Sequence, residues 1–317
     1  MEKMKTALSH CEICPRGCGI NRTAGKTGWC HAPLLPKVAL VSGHLWEEPP
    51  ISGTKGSGTI FFSHCNLGCV FCQNHTISQE GFGQEVSILR LAEIFLEQQE
   101  RGFHNINLVS AVQFIPQVVK ALESARAKGL RIPVVYNSNG YESLTGLRML
   151  DGLVDIYLPD FKYWNDSLGI AYSHAPHYRE TAAAAILEMR RQVPQDAFDA
   201  EGLLQKGLLL RHLILPGQYR DSMRILDWVR ASLGEETLVS LMSQYTPLYR
   251  AKEIKALSRK LTTFEYEKVI DYFFEIGLKN GFMQKRSSAT GEYTPTFDLS
   301  GVAAAESFMK REENHHD

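Results

Sequence analysis

No apolar run in this 317-residue chain approaches the roughly twenty residues that a bilayer-crossing helix needs, so a membrane-embedded class is not expected. The opening residues, Met1 to His10, carry lysines but lack the apolar central stretch of a signal peptide. The expected compartment is therefore the cytoplasm, where thiols stay reduced and suit metal ligation better than disulfides. An excess of either charge is also missing, since 34 Lys and Arg stand against 35 Asp and Glu. That balance offers no global attraction to a polyanion and makes nucleic acid an unexpected partner. The basic cluster Lys252, Lys255, Arg259 and Lys260 reads as the solvated face of a helix. Internal repeats and low-complexity tracts are absent, and 44% hydrophobic residues suffice for one large α/β domain plus a small module.

What is present is cysteine in two groups. The run Cys65-Asn66-Leu67-Gly68-Cys69-Val70-Phe71-Cys72 is a C-x3-C-x2-C pattern. Thiolates are the usual ligands of iron–sulfur clusters, and three of them on four irons leave one iron open to a small molecule. A structural zinc site wants four ligands, usually as two separated pairs, and this triple does not divide that way. Structural thiols, zinc and a disulfide framework are the alternatives to a cluster. The second group is Cys11-x2-Cys14-x3-Cys18-x11-Cys30. It lies in a stretch to about Pro50 that is rich in Cys, Gly and Pro, as in a small module folded around a metal. Four thiolates close the shell of one centre, and either a second iron–sulfur cluster or zinc satisfies them. A cluster there would conduct electrons, whereas zinc would be a structural clip.

Beyond a linker through Pro49, Pro50, Gly53, Gly56 and Gly58, strand-like and helix-like segments alternate, which predicts repeated βα units and a parallel sheet. The expected strands are Thr59 to Ser63, Asn105 to Ser110, Pro133 to Asn137, Val154 to Phe161, Leu208 to Leu215 and Thr237 to Ser243. The expected helices are Ser87 to Arg101, Phe114 to Lys128, Tyr178 to Gln192, Ser222 to Ser232 and Thr263 to Gly277. This divides the chain into an N-terminal module over 1–50, a main domain over 51–281 and a loosely ordered tail over 282–317, with Tyr293, Pro295 and Phe297 as docking candidates.

Ligands of parallel α/β folds gather at the carboxyl ends of the strands. Those ends carry the Cys65 triple, Ser110, Tyr136-Asn137-Ser138-Asn139-Gly140, Asp160-Phe161-Lys162, Arg211-His212 and Met242-Ser243-Gln244. Taken singly, Asn137 to Gly140 is turn chemistry, Asp160 and Lys162 an ion pair, and His212 a core histidine. Their recurrence at successive strand ends makes them candidates for a binding site.

The central cysteines, the apolar run Thr59-Ile60-Phe61-Phe62 before them and Phe71 resemble the radical S-adenosylmethionine (radical SAM) superfamily. Six βα units match its open partial (β/α)6 TIM-like barrel. Cys14-Pro15-Arg16-Gly17-Cys18-Gly19-Ile20-Asn21-Arg22, the stretch Ile51 to Phe62, Cys69 to Asn74, Asp160 to Tyr163, Arg211 to Gly217 and Met242 to Pro247 resemble in particular the relatives of pyruvate formate-lyase activating enzyme. The resemblance implies a [4Fe-4S] cluster on Cys65, Cys69 and Cys72 with SAM on the open iron. One-electron cleavage of SAM would then give methionine and a 5′-deoxyadenosyl radical that abstracts hydrogen from substrate. It also implies Phe71 beside the adenine, Ser110, Asn137, Asp160 and Lys162 around SAM, and Arg211, His212 and Gln244 toward the substrate or the SAM carboxylate. The implied substrate is a protein or peptide, as for glycyl-radical activases, and the implied reductant is a flavodoxin or ferredoxin. The alternatives are a small-molecule or peptide-modifying radical SAM enzyme and a non-catalytic zinc-binding protein. Two departures stand out: no Gly-Gly-Glu type motif follows Ser110, where Ala111-Val112-Gln113 replaces a common Thr-Pro-His, and His64 occupies a position that is commonly glycine.

Overall fold

Strands rich in aliphatic residues, each followed by an amphipathic helix, assemble into one open sheet. The computed structural model describes residues 2–283 and 295–303. Its principal strands are β1 (Lys37–His44), β2 (Ser57–Phe62), β3 (Asn105–Val109), β4 (Val134–Ser138), β5 (Ile156–Pro159), β6 (Leu204–Leu213), β7 (Leu238–Met242) and β8 (Gly281–Met283). β2 to β8 follow one another in chain order and pair in parallel. β1 runs antiparallel on the free edge of β2, and Gln84–Glu85 continues outward from β1. The sheet does not close, so the architecture is an α/β partial barrel.

The outer layer includes α1 (Ile88–Glu100), α2 (Ile115–Ala127), α3 (Tyr178–Gln192), α4 (Tyr219–Ser232) and α5 (Thr263–Glu275). Their starts follow capping chemistry: the Ser87 side chain accepts from Arg90 N, and Thr262 with Glu265 forms a reciprocal capping box. All six expected strands and all five expected helices form, with ends shifted by a few residues. β2 is buried at every position, because a parallel strand is covered on both faces.

Three features depart from the sequence expectation. β1 draws Val38, Ala39, Leu40 and Val41, all buried, out of the Cys-rich N-terminal segment and into the sheet. Short helices Leu144–Met149 and Asp166–Ser173 occupy links to which the sequence reading assigns no element. The main domain runs past the expected boundary at 281, since Phe282 and Met283 belong to β8, and part of the tail beyond it docks, as expected for Phe297. There Leu299 N donates to Ala39 O at 3.0 Å, Val41 N donates to Ser300 O at 2.9 Å, and the Phe297 ring meets Phe61 edge-on at 5.6 Å. These contacts cover the open edge of β1, which would otherwise present unpaired backbone groups. Pro295 lines the cavity described below; Tyr293 lies outside the described residues.

One buried carboxylic acid makes the fold sensitive to pH. Glu142 is 2% exposed; its Oε1 accepts from Ser138 Oγ at 2.6 Å and from the Tyr136 hydroxyl at 3.2 Å, while Oε2 has no partner. Burial pushes its pKa up to about 7, above the ~4.3 of an unfolded glutamate. The folded state therefore holds the proton more tightly, and the associated stability is complete below the unfolded pKa and lost as pH rises through 7. The full loss is at most about 4 kcal/mol. Urea midpoints of the native chain should fall between pH 5 and 8, and those of Glu142→Gln should fall less; parallel profiles would refute this assignment.

Candidate active site

The cysteine loop begins where β2 ends, and several backbone restraints shape it. His64 has φ of +69°, a left-handed conformation that costs an ordinary residue on the order of 1–2 kcal/mol and suits glycine. That explains why glycine is natural at this position. His64 N donates to Ile77 O at 2.7 Å, and the Gln113 side-chain amide faces three carbonyls, Ser63 O at 2.9 Å, His64 O at 3.0 Å and Ser110 O at 2.8 Å. Gln113 thus ties the end of β2 to the end of β3. Further along, Gly68 N donates to Ser173 O at 3.0 Å and Val70 N to Tyr172 O at 2.9 Å.

Each of the three thiols meets polar groups. Cys65 Sγ accepts from Leu67 N and from Asn139 Nδ2, both at 3.4 Å; Cys69 Sγ lies 2.9 Å from Ser173 Oγ, and Cys72 Sγ lies 3.3 Å from Ser78 Oγ. Burial pushes Cys65 up to about 12 and Cys69 up to about 11, and it raises Cys72. Charge on Cys69 and Cys72 raises Cys65 further. Yet among the described residues no three Cys, His, Asp or Glu side chains converge to hold a single ion. Three thiols of one short loop lining the same cavity fit a multi-iron cluster, whose charge would offset the burial cost of the thiolates.

The thiols line a cavity of about 400 Å³. Around it lies a buried charge network. Arg211 Nε donates to Asp160 Oδ1 at 3.0 Å, Nη1 to Glu47 Oε2 at 3.1 Å and Nη2 to Asn137 Oδ1 at 2.6 Å. Lys162 Nζ donates to Asp160 Oδ2 at 2.6 Å. Glu47 Oε1 also accepts from Asn107 Nδ2 at 2.9 Å and from Asn137 Nδ2 at 3.4 Å. Burial opposes charge on Asp160, but Lys162 and Arg211 outweigh it and hold its pKa below the usual value; burial likewise opposes charge on Lys162, and Asp160 and Cys69 outweigh it upward. Lys162 therefore stands between the carboxylate and the cysteine loop as a cation.

Of the sequence candidates, Cys65, Cys69, Cys72, Phe71, Ser110, Asn137, Asp160, Lys162, Arg211 and Gln244 all line this cavity. His212 does not. Strand alternation sends Arg211 inward and His212 to the opposite face, where it is 2% exposed with Nδ1 2.6 Å from Phe161 O and Nε2 2.8 Å from Ser222 Oγ. It is a satisfied core histidine, and burial lowers its pKa to about 4. Cys11, Cys14, Cys18 and Cys30 lie outside the cavity lining. Phe71 meets Tyr245 at 5.9 Å near an edge-on angle, so an aromatic pair borders the loop.

Sequence reasoning missed Glu47, Asn107 and the sulfur partners Ser78 and Ser173, while Asn139, a strand-end candidate, proves to bond Cys65 Sγ. Glu47 lies in the β1–β2 link, which leaves β1 where His44 pairs with Ser57 at the amino end of β2. A search confined to carboxyl ends of strands passes over it. Asn107 offers one signal, a polar residue in the middle of an apolar strand.

Residues 59–229, more than half of the chain, match the family model described as the radical SAM superfamily. An uncharacterized protein of Methanocaldococcus jannaschii is 30% identical over 282 residues, covering 86% of this chain and 76% of that protein. Among solved structures, Streptococcus suis SuiB bound to precursor peptide SuiA shares 11% identity at a TM-score of 0.49, covering 70% of this chain and 47% of SuiB. Native anSMEcpe with bound AdoMet shares 12% identity at a TM-score of 0.45, covering 67% of this chain and 57% of that one. The chain thus spans about half the length of these structures.

Proposed function

The chain belongs to the radical SAM superfamily, and from that premise we propose that it is an activating-type enzyme, one that generates a radical on a protein or peptide. The superfamily uses a [4Fe-4S] cluster and SAM, and the cluster would be held by Cys65, Cys69 and Cys72. When bound, that pair supplies one-electron cleavage of SAM and a carbon radical able to take a hydrogen atom.

The chain's own residues bind, orient and exclude. Arg211 spends its donors on Asp160, Glu47 and Asn137, which fixes the floor of the cavity. Lys162 bonds Asp160 with one of its three N–H groups, which leaves two donors that would serve an anionic group such as the SAM carboxylate. Asn137 and Ser110 offer polar contacts to a ribose, and Phe71 with Tyr245 excludes water on the cysteine side.

The observation that carries the macromolecular substrate is the cavity's size. About 400 Å³ lies near the lower end for ligand pockets, and a cluster with SAM would share that room. A substrate then enters as a narrow segment of a larger body, and exposed Trp46, in the cavity lining, suits contact with such a body. A low-potential donor such as a flavodoxin or ferredoxin would deliver the electron. Among the described residues no helix is long and apolar enough to cross a membrane. The test is anaerobic incubation of the reduced, iron-loaded protein with SAM and candidate glycyl-radical enzymes. The expected result is 5′-deoxyadenosine together with a protein radical by electron paramagnetic resonance; SAM cleavage without any protein radical would overturn the activase reading.

A further inference from the structure

The three thiols of the central loop differ in what stands behind their hydrogen-bond partners. Cys69 Sγ lies 2.9 Å from Ser173 Oγ, and Ser173 Oγ lies 2.7 Å from the Tyr163 hydroxyl. Ser173 is fully buried and Tyr163 is 1% exposed, so neither hydroxyl is served by bulk water. Cys72 has a looser version of the same arrangement. Its sulfur lies 3.3 Å from Ser78 Oγ, which accepts from Gln79 Nε2 at 3.3 Å, and that amide also donates to Leu67 O at 3.0 Å. Cys65 instead meets the side-chain amide of Asn139.

The order of protons along the Cys69 chain follows from elementary chemistry. A thiolate that binds iron only accepts hydrogen bonds, and a serine hydroxyl has one hydrogen to give. With that hydrogen given to Cys69, the second bond must run the other way, the Tyr163 O–H donating to Ser173 Oγ. Each bond polarises the next, so two hydroxyls in line donate more strongly to the sulfur than one, and a charged acceptor strengthens the donation again.

Both ends of the chain are held by backbone. Asp221 accepts from Trp164 N and from Asn165 N, each at 2.8 Å, which fixes the segment beside Tyr163. Ser173 closes the helix Asp166–Ser173, and the amides on either side of Cys69 dock on its end: Gly68 N donates to Ser173 O at 3.0 Å and Val70 N to Tyr172 O at 2.9 Å. The Tyr163 ring meets that of Tyr178 edge-on at 5.2 Å. Packing accounts for this ring but not for its hydroxyl, since phenylalanine would fill the same space and leave Ser173 without a donor.

We propose that Tyr163 and Ser173 form a directed hydroxyl chain that raises the reduction potential of the cluster on Cys65, Cys69 and Cys72. Hydrogen bonds to the sulfurs help to set such potentials, and donors favour the reduced state because it carries the additional negative charge. Reduction adds one electron and breaks no bond. Ser173 touches the ligand sulfur, whereas Tyr163 acts through Ser173 and is a positioning residue. The proposal rests on the reading that these thiols hold a cluster and is independent of the activase reading.

The deciding experiment is an anaerobic redox titration without SAM, followed by electron paramagnetic resonance, of the reconstituted native chain, Tyr163→Phe, Ser173→Ala and the double variant. The central cluster is identified as the signal missing from Cys69→Ala. Ser173→Ala should keep its iron and reduce the reduction equilibrium about tenfold, a fall of ~59 mV for one electron. Tyr163→Phe should lower the potential by a smaller amount and add nothing once Ser173 is replaced by alanine. A native potential in Tyr163→Phe, or an equal shift with and without Ser173, would overturn the chain. Should Ser173→Ala lose its iron, Tyr163→Phe decides the matter, since it leaves Ser173 in place. A native chain that takes up no iron would instead overturn the cluster reading, and this proposal with it.

Discussion

Cys69→Ala should leave a folded protein that no longer cleaves SAM. Three thiolates are the minimum from this chain for a cluster with one open iron, and removing the middle one leaves two that cannot retain it. The fold has little at stake, because alanine keeps the Cβ and the lost contacts are chiefly the Ser173 Oγ interaction at 2.9 Å. Formation of 5′-deoxyadenosine should fall by at least about a thousandfold, equivalent to about 4 kcal/mol in the barrier. Iron should fall by about four atoms per chain, any N-terminal iron remaining. Circular dichroism and the thermal midpoint should stay near native. The measurement is product formation under dithionite with parallel iron analysis, and activity within tenfold of native would remove Cys69 from the ligand set.

The strands were legible because each parallel strand is buried on both faces and reads as a short aliphatic run; Ile106, Leu108, Val134, Val135, Ile156 and Leu158 are all fully buried. β1 was not, since its four buried aliphatics sit between a Pro-rich turn and Gly43, in a segment whose cysteines suggest a metal-folded module. The thiols were legible by spacing alone, whereas their sulfur-bonded partners were not: Ser173 lies more than a hundred residues from Cys69, and only the fold brings them together. His212 shows the limit from the other side. Sequence placed it at a strand end beside Arg211, but the two-residue period of a strand lets only one of two neighbours face the cavity. Glu47 shows a third kind of limit, because Glu47-Glu48-Pro49-Pro50 reads as a solvated turn until a cation, Arg211, is seen waiting for it.

That ion pair supplies the second large effect. Arg211, Glu47, Asp160 and Lys162 are at most 16% exposed at their side chains, so their charges are balanced against one another rather than by water. Replacing Arg211 by Leu leaves two carboxylates with one ammonium. Lys162 is committed to Asp160, and Glu47 keeps only the amides of Asn107 and Asn137. Stranding a buried charge in this way should cost about 3–5 kcal/mol. Glu48, buried next to Glu47, is already held above the usual carboxylate range by burial, and Arg211 opposes that rise. Without Arg211 its folded pKa moves further above the unfolded value, so the deficit should be smaller at pH 5 than at pH 8. Arg211→Lys should not restore the native value, since one ammonium cannot reproduce a planar fork serving Asp160, Glu47 and Asn137 together. In Arg211→Leu with Glu47→Gln the orphaned charge is gone, and the double variant should be more stable than Arg211→Leu alone, a sign of coupling that independent sites would not give. Urea unfolding of the four chains at both pH values measures all of this. A single-variant loss below about 1 kcal/mol would mean that the pair behaves as a surface salt bridge, and the cavity floor would then owe its position to packing instead of charge.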